Sequence, residues 1–302
     1  MKKRFLALGL TVALAAASLA ACGGASTKTT EKQTEAGTEQ GSEKATEAAK
    51  EEKADSGELR TYKLGVNGSD HEEWEKANEL LQKDNIKLEM VEFSDYVKPN
   101  EALEDGEIDL NAFQTEIYFN NFVKERGYTD LGILAYTQVA PMGIYSSKYK
   151  SLDEATGHLI IAIPNDVTNG GRALKFLEKN GFLTLKKEAG LTPTVMDIEK
   201  YNKDVEIVEM VATQIPASLP DLSFACINNG VAKDAGLTLK NDAIVYEDYK
   251  EPDMKNYWNI IAAKKDRIES EDFQKIKKAY NSDEVKQVIL EHYDGQSIPV
   301  WD

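Results

Sequence analysis

The residues most capable of specific chemistry lie in the run Asn-Asp-Val-Thr-Asn-Gly-Gly-Arg at residues 165–172. An apolar, strand-like stretch precedes this run and a helical pattern follows it, so it should contain a helix start capped by Thr168 or Asn169. Gly170 and Gly171 would let a ligand approach the backbone amides. The run therefore predicts an anion-binding helix start.

Arg172 stands against the local electrostatics of that helix start. A cation in the first turn lies at the positive end of the helix dipole, which costs roughly a few tenths of a kcal/mol. Departures from local preference tend to mark functional sites. A guanidinium there can bind a carboxylate through two parallel hydrogen bonds. A solvated surface arginine is the alternative.

Aromatic and amide side chains follow two other apolar segments. Tyr96, Phe113 and Tyr118 flank one strand-to-helix junction and could wall an apolar slot, with plain core packing as the alternative. Asn228 and Asn229 end an apolar strand and offer amides to an amino or carboxyl group. An ordinary turn is the alternative there, because Asn-Gly is a strong turn pair.

These side chains meet only if the fold brings their loops together. Residues 59–302 alternate strand and helix patterns, which predicts an α/β fold with largely parallel sheets. Ligands bind beyond the carboxyl ends of strands in such sheets. This rule selects four loops, at residues 67–70, 114–115, 166–172 and 228–230.

At 302 residues the chain is long enough for two compact domains, and two lobes are expected with the following bounds. Residues 59–138 form the first part of lobe 1, residues 139–245 form lobe 2, and residues 246–302 return to lobe 1. The first crossing between lobes is placed in one apolar strand from Val139 to Ser146, because Pro141 suits a crossing segment better than a central strand.

Serine patterns predict several helix starts. Ser69 and Ser151 are each followed three residues later by a glutamate, the pattern of a capping box. Ser270 and Ser282 should cap two C-terminal helices, since acidic residues fill the first turn after each.

The N-terminus carries an export and anchoring pattern. Residues 1–22 combine a basic start, an apolar run too short to span a bilayer comfortably, and the ending Leu-Ala-Ala-Cys. Leu-Ala-Ala-Cys-Gly resembles the bacterial lipoprotein box, which implies acylation of Cys22, palmitate included, and an outward-facing anchor in the cell membrane. A secretory signal with a chance cysteine is the alternative. Residues 23–58 lack aromatic and branched aliphatic residues, so a disordered acidic tether is predicted.

Composition argues against several classes of function. The net charge of −16 disfavours nucleic-acid binding. His71, His158 and His292 lack ligand spacing, so no metal site is predicted. With Cys22 acylated, Cys226 has no disulfide partner, and its apolar surroundings predict a buried structural role. No hydrolase, phosphate-loop or redox motif is present, so neither a catalytic residue nor a cofactor is predicted.

Collinear segments throughout the body resemble one family, the methionine-binding lipoproteins of ABC importers of the NlpA/MetQ type. The resemblance is carried by Val-Glu-Phe-Ser-Asp-Tyr-Val-Lys-Pro-Asn-Glu-Ala-Leu at 91–103, Asp-Leu-Asn-Ala-Phe-Gln at 109–114, Pro-Met-Gly-Ile-Tyr-Ser at 141–146, Ile-Pro-Asn-Asp at 163–166 with Arg-Ala-Leu at 172–174, Ser-Asp-Glu-Val-Lys at 282–286 and Ile-Pro-Val-Trp at 298–301.

The resemblance implies a type II periplasmic-binding-protein fold, in which two α/β lobes close over an amino acid that is then delivered to a membrane permease. It also implies roles for individual residues. Arg172 would bind the ligand carboxylate and Asn169 would assist, while Tyr96, Phe113 and Tyr118 would surround a thioether side chain.

Two departures from the family pattern concern the ligand. Thr115 stands where the family commonly has a histidine, and Gly230 stands where it has an asparagine. Losing these two groups enlarges the pocket and removes polar partners. A different amino acid, a dipeptide or a methionine derivative therefore stays open as the ligand.

Two functions of other classes also stay open. An anchored hydrolase would need a nucleophile, a base and an orienting group within hydrogen-bond reach, and no motif supplies them. A surface adhesin or immune-evasion protein would bind a host matrix protein and leave the cleft empty.

Overall fold

The structure is a computed structural model that describes residues 57–301. The predicted signal peptide, its Cys22 and nearly all of the predicted tether lie outside these residues. The described residues fall within one unit of the chain, 52–302. No helix among them has the length and apolar character needed to cross a bilayer.

Strands and helices alternate along the described chain, as the sequence predicts. The strands are β1 (Arg60–Asn67), β2 (Ile86–Phe93), β3 (Leu110–Asn111), β4 (Leu131–Val139), β5 (Gly143–Tyr145), β6 (Leu159–Pro164), β7 (Leu183–Leu185), β8 (Ile198–Tyr201), β9 (Val205–Met210), β10 (Phe224–Ile227), β11 (Ala243–Tyr246), β12 (Trp258–Lys264) and β13 (Ile298–Pro299).

Helices connect most of these strands. They are α1 (Glu72–Leu81), α2 (Lys98–Glu104), α3 (Glu116–Arg126), α4 (Val167–Lys179), α5 (Ile215–Ser218), α6 (Asn229–Asp234), α7 (Lys265–Ile268), α8 (Glu271–Tyr280) and α9 (Asp283–His292). Short 3₁₀ turns cover Gln82–Asp84, Val195–Asp197, Ala212–Gln214 and Pro252–Tyr257.

Two mixed sheets organise the strands. The first has the order β13-β4-β12-β3-β1-β2 and the second the order β11-β5-β10-β6-β9, while β7 and β8 form a separate pair that the sequence did not predict. Among the strands of residues 57–301, only β1 with β2 and β3, and β6 with β9 and β10, pair in parallel. The expectation of largely parallel sheets is therefore wrong, because β4, β5, β11 and β12 all pair antiparallel.

The chain passes between the sheets at two places among the described residues. Residues 140–142 connect β4 of the first sheet to β5 of the second, and residues 247–257 connect β11 back to β12. We call these the first and second crossing segments. The predicted single strand from Val139 to Ser146 is wrong, since Pro141 has no N–H for a ladder and separates two strands. The lobe boundaries stay a prediction.

Each sheet is covered by helices on both faces. On the first sheet α1, α8 and α9 bury Leu64, Trp74 and Phe273, while Phe119 of α3 packs on the opposite face. On the second sheet α4 buries Leu174 on one face, and α5 and α6 cover the other. These apolar layers hold the loops at the strand ends in fixed places.

The predicted helix starts have mixed outcomes. Ser270 and Ser282 are confirmed as N-caps of α8 and α9. Ser69 is not a cap, because α1 begins after His71 and has no side-chain cap bond. No helix begins at Ser151, and the Glu154 carboxylate instead accepts a hydrogen bond from the backbone N–H of Lys150 at 2.8 Å.

Two glycines set how closely α4 approaches its neighbours. A Cβ on Gly170 would lie 2.6 Å from the carbonyl oxygen of Pro164, and one on Gly171 would lie 2.9 Å from Cα of Thr192. Both contacts are with backbone, which cannot move aside cheaply. The glycines therefore serve close helix packing, and their expected role in admitting a ligand to the backbone amides stays a prediction.

Gly170→Ala should lower the free energy of unfolding by roughly 1–3 kcal/mol, because the added methyl overpacks the junction of β6 and α4. Urea denaturation of the ligand-free protein would measure this change. Gly230→Ala is the matched control, since a Cβ there meets nothing within 4 Å. Equal stability of the two variants would contradict the packing role.

Candidate ligand-binding site

A cavity of about 610 Å³ lies among loops from both sheets. All four loops selected from the sequence reach its wall. The wall includes every predicted site residue: Tyr96, Phe113, Thr115, Tyr118, Asn169, Arg172, Asn228 and Gly230. The structure thus brings together residues that are up to 134 positions apart in the chain, from 96 to 230.

Arg172 lies on this wall but is buried, with 3% of its surface exposed. Its Nε and Nη2 donate to the Glu247 carboxylate at 3.0 and 2.5 Å, and Nη2 also donates to the carbonyl oxygen of Ala140 at 2.9 Å. The guanidinium stacks on the Tyr257 ring, 4.3 Å from its centroid. The alternative of a solvated surface arginine is therefore wrong.

One nitrogen of this guanidinium remains available. Among residues 57–301, no acceptor is hydrogen-bonded to Nη1 of Arg172. Because the other nitrogens are held by Glu247 and Ala140, the plane of the group is fixed. A carboxylate in the cavity could therefore be met by a prepositioned donor.

Sequence reasoning missed Glu247. A buried arginine requires a carboxylate partner, but no spacing rule selects one of the 52 acidic residues as that partner. The pair also changes the electrostatic argument about Arg172. This residue is the sixth of α4, beyond the first turn, and its charge is balanced by Glu247.

The helix start itself is capped by Asp166. Its Oδ1 accepts from the backbone N–H of Asn169 at 2.9 Å, so the expectation that Thr168 or Asn169 is the cap is wrong. Thr168 instead donates its hydroxyl to Asp166 at 2.9 Å. A carboxylate cap also complements the positive end of the helix dipole.

Asp166 fixes the orientation of two amides in turn. A carboxylate accepts only, so Nδ2 of Asn169 must face it, at 3.0 and 3.1 Å from its two oxygens. Oδ1 of Asn169 then accepts from Nδ2 of Asn228 at 2.8 Å. This relay leaves Oδ1 of Asn228 buried and without a partner among residues 57–301.

Three more residues of the cavity wall have buried side-chain oxygens that lack a partner within the described chain: Asn67, Gln138 and Asn229. The orientation of Asn67 and Asn229 is fixed, because Nδ2 of each donates to backbone carbonyls. An orphaned buried acceptor costs stability unless a donor reaches it. A donor from a ligand or from an ordered water would satisfy these oxygens.

The aromatic residues form one cluster beside these polar groups. The rings of Tyr96, Phe113 and Tyr118 lie 6.0–6.2 Å apart, and the Tyr118 hydroxyl donates to the Tyr96 carbonyl at 2.8 Å. Burial raises the pKa of both tyrosines, so they stay neutral. Phe113 is only half-buried, which leaves part of its ring to an apolar ligand group.

Thr115 and Gly230 have different local roles. The Thr115 hydroxyl caps α3 by accepting from the backbone N–H of Tyr118 at 3.3 Å. Gly230 is next to open space. At position 115 the side chain thus caps a helix, and at position 230 there is no side chain to occupy the space.

A buried amide network supports the segment that carries Phe113 and Thr115. Gln114 exchanges two hydrogen bonds of 2.7 Å with Asn100, and its Nε2 also donates to Asn111 at 2.9 Å. Nδ2 of Asn111 donates to Asn100 at 2.9 Å. This network joins α2, β3 and the start of α3, and no sequence pattern identifies it.

The cysteine and histidine side chains of the described residues show no reactive or metal-binding arrangement. Cys226 is fully buried in β10, and burial raises the pKa of its thiol. His71 reaches the cavity and bonds the carbonyl oxygen of Gly68 at 2.8 Å. Within residues 57–301, histidine, cysteine and acidic side chains form no group suited to a metal ion.

A family model described as NlpA lipoprotein matches residues 62–301. The chain belongs to this family. It is 40% identical to the D-methionine-binding lipoprotein MetQ of Escherichia coli K12 over 243 residues, which cover 79% of this chain and 88% of that protein.

Solved structures agree with this membership. A lipoprotein of Ruminococcus gnavus has a TM-score of 0.77 at 41% identity, covering 80% of this chain and 99% of its own. A nutrient-binding protein of Burkholderia cenocepacia, solved with bound methionine, has a TM-score of 0.75 at 35% identity and covers 80% of this chain and 100% of its own. The predicted α/β binding-protein fold and the resemblance to NlpA lipoproteins are confirmed.

Gln114→Leu should lower the free energy of unfolding by roughly 1–3 kcal/mol, because it leaves buried amide groups of Asn100 and Asn111 without partners. Urea denaturation would measure the loss. Asn120→Leu is the control, since Asn120 is exposed on α3 and its replacement should change stability by less than about 0.5 kcal/mol. A loss in the free energy of unfolding of Gln114→Leu that is no larger than that of the control would show that the network is dispensable.

Proposed function

We propose that this protein is the extracytoplasmic substrate-binding lipoprotein of an ABC importer, and that it captures methionine or a related amino acid. The observation that carries the proposal is the composition of the cavity wall. A free guanidinium N–H, four orphaned amide oxygens and an aromatic cluster complement a zwitterion with an apolar side chain.

In this proposal Arg172 binds the ligand carboxylate through Nη1. Because Glu247 already balances the Arg172 charge, the guanidinium does not by itself require a ligand of net negative charge. The ammonium group of a zwitterion would supply donors to oxygens such as Oδ1 of Asn228. Asn169 acts by holding Asn228 in the required orientation.

The side chain of the ligand would lie against Tyr96, Phe113 and Tyr118. Aromatic rings contact a thioether favourably, by about 0.3–1.5 kcal/mol, and relatives named for methionine support this choice. Thr115 and Gly230 leave more room than the family pattern provides. A larger amino acid derivative or a dipeptide is therefore part of the ligand panel below.

The proposed role includes two partners that the described residues do not contain. Acylated Cys22 would anchor the chain to the outer face of the cell membrane, with residues 23–58 as a tether. The membrane permease of the importer would receive the ligand when the lobes, 59–138 with 246–302 and 139–245, open.

Isothermal calorimetry of residues 59–302 with L-methionine should show saturable binding, and Arg172→Lys should weaken it by roughly 1.5–3 kcal/mol. Lysine keeps the charge but lacks the planar fork that fixes Nη1. D-methionine, other amino acids and methionine dipeptides complete the panel.

Arg126→Lys is the matched control for this variant, because Arg126 is exposed and pairs with Glu101 at 3.4 Å outside the cavity. It should bind like the wild type. Absence of binding by the wild type across the whole panel would refute the proposed ligand class, and unchanged affinity of Arg172→Lys would remove Arg172 from the site.

Cys22→Ser should move the protein from the membrane fraction to the soluble exported fraction, because serine offers no thiol for acylation. Fractionation of bacteria expressing each full-length chain, with Cys226→Ser as control, would measure the distribution. Membrane retention of the Cys22→Ser protein would refute the lipid anchor.

A further inference from the structure

The side chain of Arg172 is surrounded by the two crossing segments. Ala140, whose carbonyl accepts from Nη2, is the first residue after β4. Glu247 is the first residue after β11, and Tyr257 is the last residue before β12. Within the part of the chain that the structure describes, every group that holds the guanidinium therefore belongs to a segment that links the two sheets.

Glu247 also ties the two crossing segments to each other. Its Oε2 accepts from the backbone N–H of Met142 at 2.7 Å, and its own backbone N–H donates to the Met142 carbonyl at 3.0 Å. The same carboxylate thus contacts the first crossing segment through Met142 and α4 through Arg172. Three parts of the chain meet at one buried side chain.

We propose that Glu247 is a positioning residue that aims Nη1 of Arg172 into the cavity and makes carboxylate binding depend on the geometry of both crossing segments. The inference rests on the proposed function, because it assumes that Arg172 meets a ligand carboxylate. The proposed function requires neither Glu247 nor a dependence of ligand binding on the two crossing segments, so both are additions to it.

The physical basis is preorganisation. A free arginine side chain has several rotatable bonds, and ordering them on binding costs affinity. Glu247 and Ala140 hold Nε and Nη2 before the ligand arrives, so that cost is met during folding. A ligand carboxylate then meets a guanidinium of fixed plane and position.

Carboxylate binding depends on the crossing segments because Glu247 and Ala140, which bond the Arg172 guanidinium, belong to those segments. Hinge motions between lobes change backbone dihedrals in a few residues of the connecting segments. Such a change would shift Glu247 and Ala140 relative to Arg172, which is carried by α4 of the second sheet. Ligand occupancy of the carboxylate site and the backbone conformation of the two crossing segments must then influence each other reciprocally.

Glu247→Gln tests the positioning role by comparing two ligands, L-methionine and L-methioninamide, which lacks the carboxylate. Glutamine offers one acceptor oxygen and places an N–H₂ group against a donor, so it cannot hold both Nε and Nη2. We expect methionine to bind at least about tenfold more weakly, while methioninamide changes by less than about threefold.

Two further variants complete the experiment. Glu247→Asp keeps the charge with a shorter side chain and should recover part of the preference for methionine over methioninamide. Glu251→Gln is the matched control on the same segment, because Glu251 is exposed and pairs with Lys179 rather than Arg172. It should bind both ligands like the wild type.

The outcomes separate the alternatives. Equal weakening of both ligands in Glu247→Gln overturns the inference, since it indicates a purely structural role. Unchanged or tighter methionine binding also overturns it, because Glu247 would then only balance charge. If Glu247→Gln does not fold, the affinity of Glu247→Asp for methionine relative to methioninamide decides between these outcomes. A wild type that binds neither ligand overturns the proposed function as well.

Discussion

The structure depends on one buried ion pair, between Arg172 and Glu247. A guanidinium that is 3% exposed must be paired, because an uncompensated buried charge costs several kcal/mol. Pairing it requires the end of β11, the end of β4 and the second turn of α4 to meet at one point. That meeting point lies where the two sheets are connected, and the cavity opens beside it.

A series of hydrogen bonds from Asp166 to Asn228 links the capping of α4 to the cavity wall. Asp166 caps α4, and the same carboxylate orients Asn169, which in turn orients Asn228. Helix capping and the presentation of an acceptor to the cavity are thus one arrangement. Within residues 57–301 the Asn228 oxygen has no partner, which costs the folded protein stability.

Ligand choice and scaffold are carried by different groups in this cavity. The buried amides of Asn100, Asn111 and Gln114 bond to one another and support the backbone that carries Phe113. Thr115 fills its position as a helix cap, while Gly230 adds no side chain. Family membership therefore accounts for the fold more closely than it accounts for the ligand.

The sequence by itself determined the α/β class, the serine caps of α8 and α9, and the four loops that reach the cavity. These features depend on local periodicity, capping chemistry and the rule for strand ends. It did not predict the antiparallel pairs or the division of residues 139–146, because strand pairing is decided between distant segments. Glu247 and the amide network were decided only by the tertiary structure. A buried charge or amide must find a partner, but which partner it finds depends on which segments the fold brings within 3 Å.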